Sequence, residues 1–393
     1  MTAPSGSTIL VVDDNELNRD ILTRRLQRSG HVVEVAEHGV RALEMMAATS
    51  FDLVMLDIMM PEMNGYEVLA RLKADPRLQH VPVIMITAVD DEESIVRCIE
   101  LGAEDHMPKP FNPALLKARV ASSLAKKQLH DREQTYAAGL QRELDIGRRI
   151  QEGFLPEHLP EAEGWELRAC FVPARQVAGD FYDAFPLPGE KIAFVVADVC
   201  DKGVGAALFM AIFRSLFRAL AEQRFMVASP ADAPSAALLD VVTATNDYIG
   251  RTHASANMFA TVFFGVLDPV TGHIWYVNGG HEAPIILGAG GAERVRLAPT
   301  GPAVGMMPDL QFHVAEASLG VGELLVAYTD GVLDAHDAAG AMFGEERMLA
   351  SARSSPASAL DAIQRALADF SAGVAAYDDV TMLSIRRVGV ANG

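Results

Sequence analysis

The chain is short of cysteine, tryptophan and positive charge: three Cys, two Trp, and 33 Lys and Arg against 52 Asp and Glu in 393 residues. Cys98, Cys170 and Cys200 are scattered and odd in number, which excludes a disulfide framework and fits a reducing cytoplasm. The net charge of −19 repels a phosphodiester backbone and argues against nucleic acid as the main partner. The opening residues MTAPSGST have no basic start or apolar run of a signal peptide. No segment reads as long and apolar enough to span a bilayer, so no membrane association is expected. No Cys/His group has zinc spacing. What remains is a chain half hydrophobic and 22% charged, the balance of a globular protein with room for two domains.

Three sections separate by pattern: 1–126, 127–155 and 156–393. In the first, short β-rich runs at 8–12, 32–35, 53–56 and 83–86 alternate with helix-period stretches, and a short fifth run precedes Lys109. This predicts an α/β, doubly wound parallel five-stranded sheet with helices on both faces. Asn112 and Pro113 are a good N-cap and first helical residue for its last helix. The second section is polar and lacks Pro, with Leu129, Tyr136, Leu140, Leu144, Ile150 and Phe154 near helical spacing and Gly139 and Gly147 interrupting. It reads as a helical linker that either pairs with a second copy, giving a homodimer, or serves as a solvated spacer. After Pro156 and Pro160, β runs at 166–172, 192–197, 259–267, 273–277 and 324–328 dominate. Helical stretches at 206–222, 236–248 and 358–371 intervene. Clustered strands with a few long helices predict an α+β β-sandwich.

Each strand of the first section delivers polar residues at its end: Asp13 and Asp14, then Asp57, then Thr87, with Lys109 after the fifth. The carboxyl ends of parallel strands converge at the switch point. Three carboxylates there repel one another unless a hard cation such as Mg2+ joins them, and Asp57 can then act as nucleophile toward a phosphodonor. Lys109 and the Thr87 hydroxyl would hold the phosphoryl oxygens. The runs Val11-Val12-Asp13-Asp14-Asn15, Leu56-Asp57-Ile58-Met59-Met60-Pro61, Met63-Asn64-Gly65, Ile86-Thr87-Ala88 and Lys109-Pro110-Phe111 resemble the receiver domain of bacterial response regulators. The resemblance implies phosphorylation of Asp57 by a sensor histidine kinase, a cis peptide after Lys109, and Thr87 shifting toward the phosphate. His106 stands where most receivers have the Tyr or Phe of the switch; a partly exposed edge-strand residue is the plain alternative.

The third section has its own strand-end acids: Asp180 and Asp183, Asp198, Asp330, and Asp378 with Asp379. Carboxylates without imidazole or thiolate favour Mg2+ or Mn2+, and a bare buried acid would be prohibitive. No candidate Ser, Cys or His nucleophile lies inside these motifs, so water activated by two metal ions is the economical agent for a phosphoryl centre. These motifs, with Asp201-Lys202-Gly203-Val204-Gly205, Asn257-Met258-Phe259-Ala260-Thr261, Asn278-Gly279-Gly280-His281 and Thr329-Asp330-Gly331, resemble the metal-dependent protein phosphatases of the sporulation stage II and stress-response branch. Residues 145–151 look like that branch's regulatory helix. The resemblance implies that Asp198 bridges two Mn2+ or Mg2+ ions with the Val199 carbonyl as a further ligand. It also implies that Asp330 and Asp378 hold one ion each and that Asp180 binds directly or through water. Asp183 and Asp379 are expected to support ligands or loops. Arg175 could grip the substrate phosphate or be a surface arginine. His281 is expected to pack a turn.

Together these imply a response regulator with a protein serine/threonine phosphatase output. Its expected substrate is a phosphoprotein, an anti-sigma factor antagonist in a partner-switching pathway. The alternative is a receiver-controlled adaptor whose phosphatase-like domain binds a partner without turnover.

Overall fold

The computed structural model describes residues 6–87, 92–227 and 233–389, which leaves Ala88 of the Ile86-Thr87-Ala88 run outside the described residues. Two compact units divide the chain, Met1–Leu140 and Gln141–Gly393. In the first, β1 (Thr8–Val12), β2 (Val32–Ala36), β3 (Leu53–Asp57), β4 (Val83–Thr87) and β5 (Asp105–Pro108) form a parallel sheet in the order β2-β1-β3-β4-β5. Helices α1 (Glu16–Arg28), α2 (Gly39–Ala48), α3 (Gly65–Ala74), α4 (Glu92–Glu100) and α5 (Pro113–Glu152) join or follow the strands. The strands are apolar throughout because both faces are covered. Leu10, Val12, Val54 and Leu56 enter one core, and Ile9, Val11, Leu53 and Met55 the other. The order reverses between β1 and β3, which opens a crevice at their carboxyl ends.

Helix α5 starts at Pro113, capped by Asn112 Oδ1 accepting from Ala114 N and Leu115 N, and runs without interruption to Glu152. The segment read as a linker is thus continuous with the last helix of the first unit, and the division between units falls inside it. Gly139 and Gly147 do not break it; a single glycine within a long helix weakens it by only about 1 kcal/mol.

The second unit contains β6 (Trp165–Val172), β7 (Phe181–Leu187), β8 (Lys191–Val199), α6 (Val204–Val227), α7 (Pro234–Thr252), β9 (Ala260–Asp268) and β10 (His273–Gly279). There follow β11 (Ile285–Leu287), β12 (Glu293–Arg296), β13 (Ala315–Ser318), β14 (Leu324–Tyr328), α8 (Gly344–Ser354), α9 (Ala359–Phe370) and β15 (Val380–Arg387). Two antiparallel sheets, β13-β10-β9-β8-β7 and β12-β11-β14-β15-β6, pack face to face. Alternation along β8 sets the layers: Ala193, Val195, Ala197 and Val199 meet α6 and α7, and Ile192, Phe194 and Val196 meet the other sheet. Helices α8 and α9 cover the far face, with Met348 and Ile363 against Val326 and Tyr328. The parallel sheet and the sandwich agree with the fold classes read from the sequence.

One expectation needs correction. Helix α6 is long and apolar enough by composition to cross a bilayer. Its apolar stripe of Ala206, Met210, Phe213, Phe217, Ala221 and Phe225 is nevertheless buried in the helix–sheet core. The same helix carries Arg214 and Arg218, which pair with the buried Asp183 of β7 at 2.8 and 2.7 Å. Removing one partner of such a buried group leaves charge unpaired. Asp183→Asn should therefore lower unfolding stability by about 3 kcal/mol, read by urea titration, with the metal requirement of the protein unchanged.

Candidate functional site

Two groups of carboxylates lie at strand ends, one in each unit. In the first unit the end of β1 presents Asp13 and Asp14, and β3 ends in Asp57; Asp13 and Asp57 are buried. One ligand oxygen from each of the three acids lies within 4.8 Å of the others. The Lys109 ammonium stands 3.1 Å from Asp13 Oδ2 and 3.0 Å from Asp57 Oδ1. Its peptide to Pro110 is cis, and its N–H donates to the Thr87 carbonyl at 3.0 Å. The Thr87 hydroxyl is buried with no hydrogen-bond partner among the described residues, the condition of a donor that awaits a ligand. Gly65 lets α3 begin directly against Asp57: a side chain there would collide with the Asp57 carbonyl.

Burial pushes the Asp57 carboxyl up to about 6; the Lys109 contact opposes this, while Asp13 and Asp14 reinforce it. Three acids gathered this closely suit a divalent cation, which would be held by Asp13, Asp14 and Asp57. His106 lies on β5, paired with Met85 of β4. Its Nδ1 is 3.7 Å from Asp105, which is also paired with Arg119. Sequence reading missed the residues that brace the β1 turn. Asn18 Nδ2 donates to Asp13 Oδ2 at 3.1 Å, and Arg19 Nη1 donates to the carbonyls of Asp13 and Asp14 at 2.7 and 2.9 Å. The only signal for them was a polar first turn on α1.

In the second unit Asp180 precedes β7, Asp198 lies near the end of β8, Asp330 follows β14, and Asp378 precedes β15. These strands belong to facing sheets, so their ends bring acids together from both layers. Asp180 is buried and accepts from Thr329 Oγ1 at 2.7 Å. Burial raises its carboxyl well above the usual range, and the charge of Asp198 adds to this. Asp198 is pushed up to about 7 by burial and by Asp330, with Asp378 adding to the effect. Burial, then Asp378 and Asp334, raise Asp330. Gly331 makes the close approach possible: a side chain there would run into the Asp379 carbonyl. Gly179 likewise leaves room beside the Val199 carbonyl, which would lie 2.9 Å from a Cβ at that position.

This second set is more open than the first. Among the described residues, only Asp13, Asp14 and Asp57 gather three ligand atoms within 4.8 Å. Lys202 Nζ lies 2.8 Å from Asp378 Oδ2, donates to the Tyr377 carbonyl at 2.9 Å, and sits 4.4 Å from the Tyr377 ring centre. It thus neutralises one acid of the set. The sequence put Lys202 inside a matched motif without a role, since nothing local announces a partner 176 positions away. Neighbouring acids with only oxygen donors fit Mg2+ or Mn2+, which Asp180, Asp198, Asp330 and Asp378 would hold together with the Val199 carbonyl.

The remaining candidates separate. Asp379 is a loop clamp, accepting from Ala174 N and Gly179 N at 2.8 Å each. Asp183 stands apart, bound to α6 by Arg214 and Arg218. Arg175 is exposed, close enough to Lys202 to repel its charge, and among the described residues makes no ion pair. His281 is buried in its turn; its N–H donates to Asn278 Oδ1 at 2.8 Å and its Nδ1 meets Thr261 Oγ1 at 2.8 Å. Burial lowers it to about 4, so it is neutral at ordinary pH. Glu282 is a further acid near Asp330, raised by burial and then by that neighbour.

A receiver-type crevice joined to a carboxylate-lined β-sandwich defines the class. Family models agree: "Response regulator receiver domain" matches residues 9–121 and "Stage II sporulation protein E (SpoIIE)" matches residues 188–388. The chain belongs to the SpoIIE family and carries an N-terminal response regulator receiver domain. It is 41% identical over 263 residues to protein IcfG of Synechocystis sp., a match covering 62% of this chain and 41% of that protein. Over 121 residues it is 40% identical to the Bacillus subtilis alkaline phosphatase synthesis transcriptional regulatory protein PhoP, covering 31% of this chain and 50% of that one. The SiaA-PP2C domain of Pseudomonas aeruginosa shares the fold at 21% identity and a TM-score of 0.50, covering 64% of this chain and 98% of that domain. The chain spans less than half the length of IcfG.

Proposed function

We propose that this chain is a response regulator in which phosphorylation of Asp57 controls a metal-dependent phosphatase acting on phosphoserine or phosphothreonine of a protein. The observation that supports it best is the gathering of acids where two sheets meet: beyond burial, Asp198 raises Asp180, Asp330 and Asp378 raise Asp198, and Asp378 raises Asp330, a set that cations would relieve. Two Mn2+ or Mg2+ ions, when bound, supply Lewis acidity and an activated water for attack on phosphorus. The chain's own residues do the rest. Asp198 and Asp330 lie near enough for the charge of Asp330 to raise Asp198, Thr329 fixes the Asp180 carboxylate, and Arg175 is free to meet substrate phosphate oxygens. In the receiver, Asp57 accepts the phosphoryl group from a sensor histidine kinase, and Lys109 and Thr87 hold its oxygens.

The substrate that suits this family is an anti-sigma factor antagonist, freed by dephosphorylation to sequester its anti-sigma factor. The test is phosphate release from such a phosphoprotein by the full chain with Mn2+. Release that persists in chelator, or none with any divalent ion whether or not the receiver is phosphorylated, rejects the reading.

Dimerisation through α5 belongs to the same proposal, because Leu129, Tyr136, Leu140 and Ile150 are all exposed along it. Light scattering with and without beryllium fluoride reads it; a monomer in both states excludes it.

Lys202 gives a smaller effect of opposite sign. A cation reaching Asp378 must displace a half-exposed ammonium. Lys202→Met should lower the half-saturating Mn2+ concentration by about two- to fivefold, the worth of such an ion pair.

A further inference from the structure

The last turn of α5 is exposed at Arg148, Arg149, Ile150 and Glu152, yet Gln151 between them is buried. Its side-chain amide grips both backbone polar groups of one residue. Nε2 donates to the Ala178 carbonyl at 2.6 Å, and Oε1 accepts from the Ala178 N–H at 2.9 Å. One turn earlier, a Cβ at Gly147 would stand 3.6 Å from Val177, so the helix backbone passes close to that segment. Ala178 is two residues before Asp180, and the intervening Gly179 N–H is held by Asp379. The strand-free backbone that delivers Asp180 is therefore held by two side chains, one from β15's approach and one from the end of α5.

A buried side chain that satisfies both backbone groups of a residue is a specific attachment rather than a greasy contact. Its loss would leave the Ala178 N–H and carbonyl buried without partners, so the loop would shift to find water. The Asp180 carboxylate is itself fixed by one short bond to Thr329, which a backbone shift would break.

We propose that Gln151 is a positioning residue for the acid cluster: through Ala178 it sets the Asp180 carboxylate, and so ties metal retention to the end of helix α5. The proposal rests on the metal-dependent phosphatase reading above. It gives the receiver a route to the second cluster, since α5 also supplies Leu116, Val120 and Leu124 to the receiver core and is continuous to Gln151.

The test uses the full chain and two variants. Gln151→Met keeps the length of the side chain and removes both hydrogen bonds. Backbone amides at 174–180 should then exchange with solvent at least about tenfold faster, read by mass spectrometry. The Mn2+ needed for half-maximal turnover of p-nitrophenyl phosphate should rise about ten- to a hundredfold, with turnover at saturating Mn2+ little changed. Gln151→Glu supplies a signature that packing alone would not. A protonated carboxyl donates and accepts as the amide does, whereas a carboxylate cannot donate. Its defect relative to wild type should be large near about pH 8 and shrink near about pH 6, because burial raises a carboxyl. Unchanged exchange in Gln151→Met, or faster exchange with an unaltered Mn2+ requirement, overturns the proposal. If the wild-type chain releases no phosphate from any probe, the phosphatase reading fails instead, and exchange together with calorimetric Mn2+ binding still decides the role of Gln151.

Discussion

Asp198→Asn should abolish metal-dependent phosphate release while making the metal-free protein more resistant to unfolding. Asp198 feels three of the other acids: besides burial, Asp330 and Asp378 raise its carboxyl, and Asp180 opposes them through a side-chain hydrogen bond. Losing the central ligand removes several kcal/mol of transition-state stabilisation, about a thousandfold or more in kcat/KM. Stability moves the other way because the variant removes one of several mutually repelling carboxylates that no cation relieves.

The pH dependence carries the same sign. The folded-state value of Asp198, about 7, lies above its unfolded value, so the native chain binds this proton more tightly. The associated stability is full below the unfolded value and is lost as pH rises through about 7. Metal-free protein should thus melt at a lower temperature at about pH 8 than at about pH 5. Saturating Mn2+ or the Asn variant should flatten that slope. A slope unchanged by Mn2+ would mean that the ions bind elsewhere.

Asp57→Asn should remove the response to phosphorylation altogether. Wild-type chain incubated with acetyl phosphate and Mg2+ should gain one phosphoryl group by intact-mass measurement, and beryllium fluoride should alter its phosphatase rate. In the variant both effects should vanish while the unstimulated rate remains, because Asp57 lies in the other unit from the acids of the sandwich. A second phosphorylated residue in the variant would displace Asp57 from its role. The elevated Asp57 carboxyl adds a check. A proton and Mg2+ compete for the same oxygens, so receiver Mg2+ affinity should weaken as pH falls through about 6.

The parallel sheet was legible because its strands are short apolar runs ending in polar residues, and each run carries both faces' packing. The sandwich was legible in outline only. Strand β7 was hidden, since Phe181–Leu187 contains Asp183 and Pro186, and a charged residue in mid-strand reads as a site rather than as sheet. Its explanation lies on α6, in Arg214 and Arg218, about thirty positions away. The short edge strands β11, β12 and β13 offered too few residues for a pattern. Helix α8 escaped as well, having no side-chain cap to mark its start. The strand-end acids stood out one by one because Asp is rare after apolar runs. Their braces did not: Gln151, Lys202 and Thr329 are ordinary residues whose meaning comes from partners 27, 176 and 149 positions away.

Strand β6 pairs along its whole length with β15, from Trp165 against Arg387 to Val172 against Val380. The first and last strands of the second unit are therefore neighbours. A nascent chain on the ribosome can close its receiver sheet once Pro108 has emerged, yet β6 waits through more than two hundred further residues for its hydrogen-bonding partner. The approach to β15 also brings Asp378 and Asp379, so translation cut short of that strand yields a folded receiver attached to a sandwich with an open edge and no complete acid set.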